Sequence, residues 1–242
     1  YKWADFKELL AIEWETNAVE TFKLNFPEVT VWQRDICSVT AEEILTFCKI
    51  KKGELDILDG SPPCQGFSTA GKRKVNDSRN ELFKEYVRLV NDLQPKVFIM
   101  ENVSGMIKGK MKGKFIEIMN TLKSLNYQVK CKLLNAMWYE VPQSRERLFF
   151  IGVRNDLNKQ PEFPVPLKNF ITFKEATKNI LNNEMPPPLT ESVKKYSHKM
   201  KQGQCLYDVG GKGFQTEKIY ENKPCPTLTK IKAGIGFGML IH

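Results

Sequence analysis

Histidine is almost missing from this chain, and its cysteines stand apart from one another. The only two histidines are His198 and His242. A cysteine hydrolase needs an imidazole beside its thiol, and both lie far downstream of the cysteine singled out below. The six cysteines, at 37, 48, 64, 131, 205 and 225, form no Cys-x-x-Cys pair. No metal is therefore expected, and no disulfide framework is implied. No stretch approaches the ~18 consecutive apolar residues that cross a bilayer, so no membrane partner is expected. No internal repeat is evident.

What the chain does have is positive charge. Lys and Arg number 37 against 28 Asp and Glu, a formal net charge of +9. The excess is clustered at Lys72-Arg73-Lys74, Lys108 to Lys114, Lys194-Lys195 to Lys201, and Lys230 with Lys232. A single cluster reads as a solvated face. Several around one cleft make a track for a phosphate backbone, although the Gly-rich 108–114 run also reads as a flexible connection.

Periodicity gives the organisation. Thr40-Ala41-Glu42-Glu43 is a capping box opening a helix to about Cys48. Ser78-Arg79-Asn80-Glu81 opens another, with Leu82, Phe83, Tyr86, Val90 and Leu93 on one face and Pro95 beyond its end. Phe115, Ile118, Met119, Leu122 and Leu125 mark a third. Between them lie the strand candidates Leu9 to Ile12, Val29 to Trp32, Asp56 to Leu58, Lys96 to Met100, Tyr127 to Leu133 and Leu148 to Val153. Strand alternating with helix predicts an α/β fold with a mostly parallel, doubly wound sheet. The length suits one substantial core plus a smaller module. After Arg154 prolines break the chain, and later glycine, lysine and aromatics dominate. Residues 1–158 read as the main domain, 159–188 as a connection, and 189–242 as a small irregular β-rich module.

Cys64 lies in Asp59-Gly60-Ser61-Pro62-Pro63-Cys64-Gln65-Gly66-Phe67-Ser68, where the apolar run Leu55 to Leu58 ends. Strand ends border the ligand crevice in open parallel sheets, and consecutive prolines leave the loop little freedom. A thiol presented there is a candidate nucleophile, suited to a reducing cytoplasm, or to a nucleus in a eukaryotic source. The other five cysteines read as small buried hydrophobes.

Ser-Pro-Pro-Cys-Gln after a strand resembles the catalytic loop of the cytosine-5 DNA methyltransferases. Two further segments resemble that family in its own order: Lys96 to Val103, carrying Glu101-Asn102, and Gln143-Ser144-Arg145-Glu146-Arg147 leading into one strand to Arg154. The resemblance implies methyl transfer from S-adenosylmethionine to carbon 5 of cytosine in double-stranded DNA, with the base flipped out of the helix. Cytosine will not attack a methyl donor unaided, whereas a thiolate adding at carbon 6 makes carbon 5 nucleophilic. Cys64 takes that role. Glu101, its pKa raised by burial, would serve the ring nitrogen at position 3. Arg145 and Arg147, two apart on an extended segment, share a face and would hold the exocyclic oxygen. Pro63, Gln65, Ser68, Asn102 and Gln143 are implied around the base.

For the cofactor the resemblance implies Glu13 on the ribose hydroxyls and Trp14 on the adenine face. Asp35 and Ile36 follow at the adenine, although Asp35 reads equally as a helix N-cap. In the last module Gln215 resembles the residue that fills the gap left by the flipped base, and Thr227 the one that steadies the displaced backbone; as an exposed turn residue, Gln215 also has a plain reading. The family's opening strand with its glycine-rich turn has no counterpart before Tyr1, nor do its closing segments after the last module. The expectation is therefore an internal part of a longer protein, or a chain completed by a partner subunit, with a weak cofactor site when alone. Rival readings are a tRNA methyltransferase of the same chemistry and a non-catalytic DNA-binding relative.

Overall fold

The computed structural model describes residues 5–62, 82–107, 112–179, 191–211, 217–227 and 240–241. Two compact units emerge: Tyr1–Leu133 with Leu148–Phe163, and Leu134–Arg147 with Pro164–His242. The 134–147 segment thus groups with the later part of the chain, whereas its position in sequence had kept it with the first.

The first unit alternates strand and helix. It runs β1 (Ala11–Glu13), α1 (Thr16–Asn25), β2 (Val31–Gln33), α2 (Ala41–Cys48), β3 (Ile57–Gly60), α3 (Leu82–Leu93), β4 (Val97–Val103), α4 (Lys112–Lys123) and β5 (Tyr127–Asn135). After a two-residue β6 (Gln143–Ser144), β7 (Glu146–Arg154) returns. Strand β1 pairs in parallel with β2, and β3 in parallel with β4; the larger sheet has the order β3-β4-β7-β5. The Arg154 N–H donates to the Lys96 carbonyl at the start of β4, and the Asn155 N–H to the Asn126 carbonyl at the start of β5. The end of β7 therefore lies beside the beginnings of both neighbours, and β7 is the antiparallel member of a mostly parallel sheet.

Local signals place these elements. Helix α2 starts where expected: the Thr40 hydroxyl accepts from the Glu43 N–H, while the Glu43 carboxylate accepts from the Thr40 N–H. Helix α3 buries Phe83, Tyr86, Leu89, Val90 and Leu93 on one stripe. The Ser78 to Glu81 start expected for it lies outside the described residues. Helix α4 stops at Lys123, so Leu125 packs from the following turn rather than from the helix.

One core joins α3 and α4 to the larger sheet around Phe98, Met100, Leu122 and Phe150. The Phe98 ring meets Tyr127 edge-on at 5.1 Å. Gly152 lies under Phe98, where any side chain would collide with the ring. A second core around Val39, Ile44, Leu89 and Leu93 carries β1 and β2 through Leu10, Ile12 and Trp32. At the amino ends of β3 and β4, the largely buried Arg154 donates to the carbonyls of Gly53 and Gln94 and pairs with Asp156.

The second unit contains short pieces: α5 (Phe173–Thr177), α6 (Glu191–Tyr196), β8 (Glu217–Lys218), β9 (Cys225–Pro226) and β10 (Leu240–Ile241). Strand β9 pairs with β6, and β10 with β8. A small core of Val193, Met200 and Leu206 holds α6 to the turns that follow it. No helix among the described residues is long and apolar enough to cross a membrane.

Candidate functional site

The parallel register of β3 and β4 sets Gly60 beside Met100, so Ser61 and Pro62 leave the sheet next to Glu101 and Asn102. Strand β4 runs on to Val103, which puts Glu101 inside the strand rather than at its end. Glu101 is half-buried. Asn102 is 4% exposed, the buried polar residue of the described core. Its Nδ2 donates to the Pro62 carbonyl at 3.4 Å, and its Oδ1 accepts from the Val103 N–H at 2.8 Å. A buried amide that lost those partners would carry its desolvation cost unpaid, so Asn102 fixes the point from which the proline-cysteine loop departs. Tyr86 supports the same edge. Its hydroxyl donates to the Ile99 carbonyl at 2.9 Å, and its ring lies so near Gly60 that a Cβ there would approach it to 2.5 Å. The expected site residues Pro63, Cys64, Gln65 and Ser68 lie outside the described residues.

The β1–β2 edge is built the same way. Glu13 faces Gln33 in register, and the chain leaves both strands at one edge, with the Arg34 N–H donating to the Glu13 carbonyl. Glu13 Oε1 accepts from the N–H groups of Trp14 and Glu15 at 2.8 and 3.0 Å. Among the described residues Oε2 takes no hydrogen bond, so a fixed carboxylate keeps one oxygen for a hydroxyl-bearing ligand. Trp14, next in sequence, is 69% exposed and offers an indole face. Asp35 does serve as an N-cap: its Oδ1 accepts from the Cys37 N–H at 2.9 Å and opens the 3-10 turn Ile36–Ser38. Ile36 is half-buried against the second core. Arg34 ties this corner to α2 through Glu43 at 2.9 Å and to the 3-10 turn through the Ser38 carbonyl at 2.7 Å. The Arg34 hydrogen bond, followed by those from Thr40, holds the Glu43 carboxyl down at about 2. A carboxylate oxygen and a flat indole at one strand edge suit a diol and an aromatic ring, the donor set of a nucleoside.

In the second unit the strand expected over Gln143 to Arg154, entered through a basic turn, is interrupted at Arg145. Gln143 and Ser144 pair with Cys225 and Pro226, whereas the next strand starts at Glu146. The break has a cause in Asn135, at the end of β5. Its Oδ1 accepts from the N–H groups of Arg145 at 3.0 Å and Met137 at 3.2 Å, while its Nδ2 donates to the Ser144 hydroxyl at 3.2 Å. The Arg145 carbonyl in turn accepts from the Ala136 N–H at 3.0 Å. Arg145 and Arg147 are half-buried, with Glu146 exposed between them. The Arg147 guanidinium donates to the Glu146 carbonyl at 2.7 Å. Thr227 donates its hydroxyl to the Ser144 carbonyl at 3.1 Å, tying the 225–227 segment to the residue before Arg145. Gln215 lies outside the described residues. Asn135 was not singled out in the sequence. The signal was there, since asparagine at a strand end followed by a short turn takes this Asx role.

Five cysteines are described and free: Cys37, Cys48, Cys131, Cys205 and Cys225. Burial pushes every one of these thiols up, Cys131 to about 12, with Asp35 adding to the effect at Cys37 and Glu217 at Cys205 and Cys225. Protonated thiols are poor nucleophiles; Cys225 is buried and Cys48, Cys131 and Cys205 are half-buried, as expected of packing residues, whereas Cys37 is exposed and departs from that expectation.

Comparison with known proteins bears on the whole chain. The family described as C-5 cytosine-specific DNA methylase matches residues 2–229. The type II methyltransferase M1.HphI of Haemophilus parahaemolyticus is 42% identical over 166 residues, covering 67% of this chain and 44% of that protein. M.DdeI of Desulfomicrobium norvegicum, also a type II methyltransferase, is 34% identical over 223 residues, covering 86% of this chain and 53% of its own. The chain thus spans about half the length of these two relatives. Among solved structures, an E. coli prophage protein described as a DNA modification methyltransferase superposes with a TM-score of 0.71 at 25% identity, covering 93% of this chain and 76% of that one.

Proposed function

The chain belongs to the C-5 cytosine-specific DNA methylase family, and on that premise we propose that it methylates carbon 5 of cytosine in double-stranded DNA through a covalent adduct of Cys64. The observation that carries the reading is the β3–β4 edge. A buried asparagine amide grips the Pro62 carbonyl two residues before Cys64, beside Glu101 on the neighbouring strand.

In this reading the Cys64 thiolate forms a bond to carbon 6 of a flipped cytosine, while Glu101 meets the ring nitrogen at position 3 so that charge does not build on the ring. Carbon 5 takes the methyl group. Loss of the carbon 5 proton to water then expels the thiolate and restores the aromatic ring. Arg145 and Arg147 hold the exocyclic oxygen, with Arg145 set by Asn135. Pro63, Gln65, Ser68, Asn102 and Gln143 shape the pocket for the base. S-adenosylmethionine supplies the methyl group when bound, and Glu13, Trp14, Asp35 and Ile36 would hold its adenosine half. The unbonded Glu13 oxygen and the exposed Trp14 indole support that assignment. Gln215 enters the space vacated by the base, and Thr227 steadies the backbone there.

Cytosine bearing fluorine at carbon 5 cannot lose a proton from that position, so an adduct formed on it persists. Wild-type protein incubated with such DNA and S-adenosylmethionine should give a denaturation-resistant complex, and Cys64→Ala should give none while keeping most of its DNA affinity. An adduct with Cys64→Ala would assign the nucleophile elsewhere. An excess of tRNA should not suppress the complex; if it does, RNA is the substrate.

A further inference from the structure

Sequence clustering drew attention to the lysines of 194–201, and the structure sorts them by what they face. Lys194 is compensated, its ammonium lying 2.8 Å from the Glu191 carboxylate. Lys195 and Lys199 are not. Both ammonium groups sit over the ring of Tyr196, at 5.3 and 5.6 Å from its centroid. Among the described residues no carboxylate pairs with either. Two acids of the same stretch are used elsewhere: Asp208 caps the Cys205 N–H, and Glu221 lies 3.9 Å from Lys174. A second pair repeats the pattern, with the Lys223 ammonium 4.0 Å from the Tyr220 centroid. The Tyr220 ring crowds Gly203, a position with φ of +81° where a side chain would meet the ring.

We propose that Lys195 and Lys199, gathered on Tyr196, form a phosphate clamp for the DNA backbone, separate from the residues that select the base. The inference rests on the DNA reading above. Two like charges held over one ring repel each other, and a phosphate taken by each relieves that repulsion. The tyrosine, half-buried on the small core of Val193, Met200 and Leu206, restricts both stems beforehand, so less side-chain entropy is lost on contact. A solvated lysine face would not have the shared ring. Because phosphates carry no base identity, the clamp adds affinity and register without sequence preference.

The test is salt dependence. Duplex binding is followed by fluorescence anisotropy across a salt series, for wild type, Lys195→Gln/Lys199→Gln, Lys195→Arg/Lys199→Arg, and Lys194→Gln. Each lost phosphate contact lowers the slope of log K against log salt by ~0.9. The double glutamine variant should therefore lose about two in slope and weaken equally on unrelated sequences. The double arginine variant should keep the slope, and Lys194→Gln should leave it near wild type. An unchanged slope in the double glutamine variant, or a loss confined to one sequence, overturns the clamp. If wild type itself shows no salt-dependent duplex binding, both the clamp and the DNA reading fall.

Discussion

Two ways of placing a functional side chain coexist in this molecule. At the β3–β4 edge, Glu101 and Asn102 stand where they do because Phe98 and Met100, on the same strand, are wholly buried in a large aromatic and aliphatic core. At the Arg145 turn the paired strands β6 and β9 are only two residues long, and position depends on polar contacts from Asn135 and Thr227. Packing spreads the holding energy over dozens of weak contacts, whereas a clamp concentrates it in two or three hydrogen bonds worth roughly 1 kcal/mol each. The first arrangement should fail globally when damaged, the second locally.

The sharpest break is Phe98→Ala. Removing a fully buried ring that meets Tyr86 and Tyr127 should cost about 3–5 kcal/mol in chemical denaturation. A loss below ~1 kcal/mol would mean the sheet is not held by this core. Asn135→Ala comes next. Misplacing Arg145 should lower kcat/KM roughly tenfold, about 1.4 kcal/mol of transition-state stabilisation, with little change in melting temperature. Asn135→Asp should recover most of the activity. Its carboxylate still accepts from Arg145 and Met137, and the Ser144 hydroxyl can turn to donate. Equal defects in the two variants would point to a general loss of folding. The smallest effect is at Glu43. Its folded pKa lies below that of an ordinary glutamate, so its contribution is whole above about 4.5 and is lost as pH falls towards about 2. Wild type should therefore lose its stability advantage over Glu43→Gln across that acid window, as read from melting curves. A difference that persists at the lowest pH would assign it to the capping geometry instead.

The same contrast explains what was legible in the sequence. Helices α2 and α3 announce themselves through a capping box and a 3.6-residue stripe; α2 starts where expected, and α3 buries the expected stripe and ends before Pro95. Glu101 and Asn102 could be placed because they follow a strand whose apolar run is plain. Periodicity says nothing of a side chain that bonds to backbone ten residues away, so the tie from Asn135 to Arg145 came only with coordinates. Asp35 shows the limit from the other side. A short acid before a turn satisfies the N-cap and the ligand reading alike, and the structure displays the cap without removing an oxygen from the ligand reading.

Arg154 bears on the order in which the chain can be built. Its guanidinium bonds to carbonyls at Gly53 and Gln94, separated from it by 101 and 60 residues. During synthesis the amino-terminal elements leave the ribosome first, and those carbonyls then have only water for company. Long-range closures are the slow, late events of folding. The amino ends of β3 and β4 are therefore sealed only once residue 154 has emerged, and a ribosome stalled before that point would carry strands still open to strange partners.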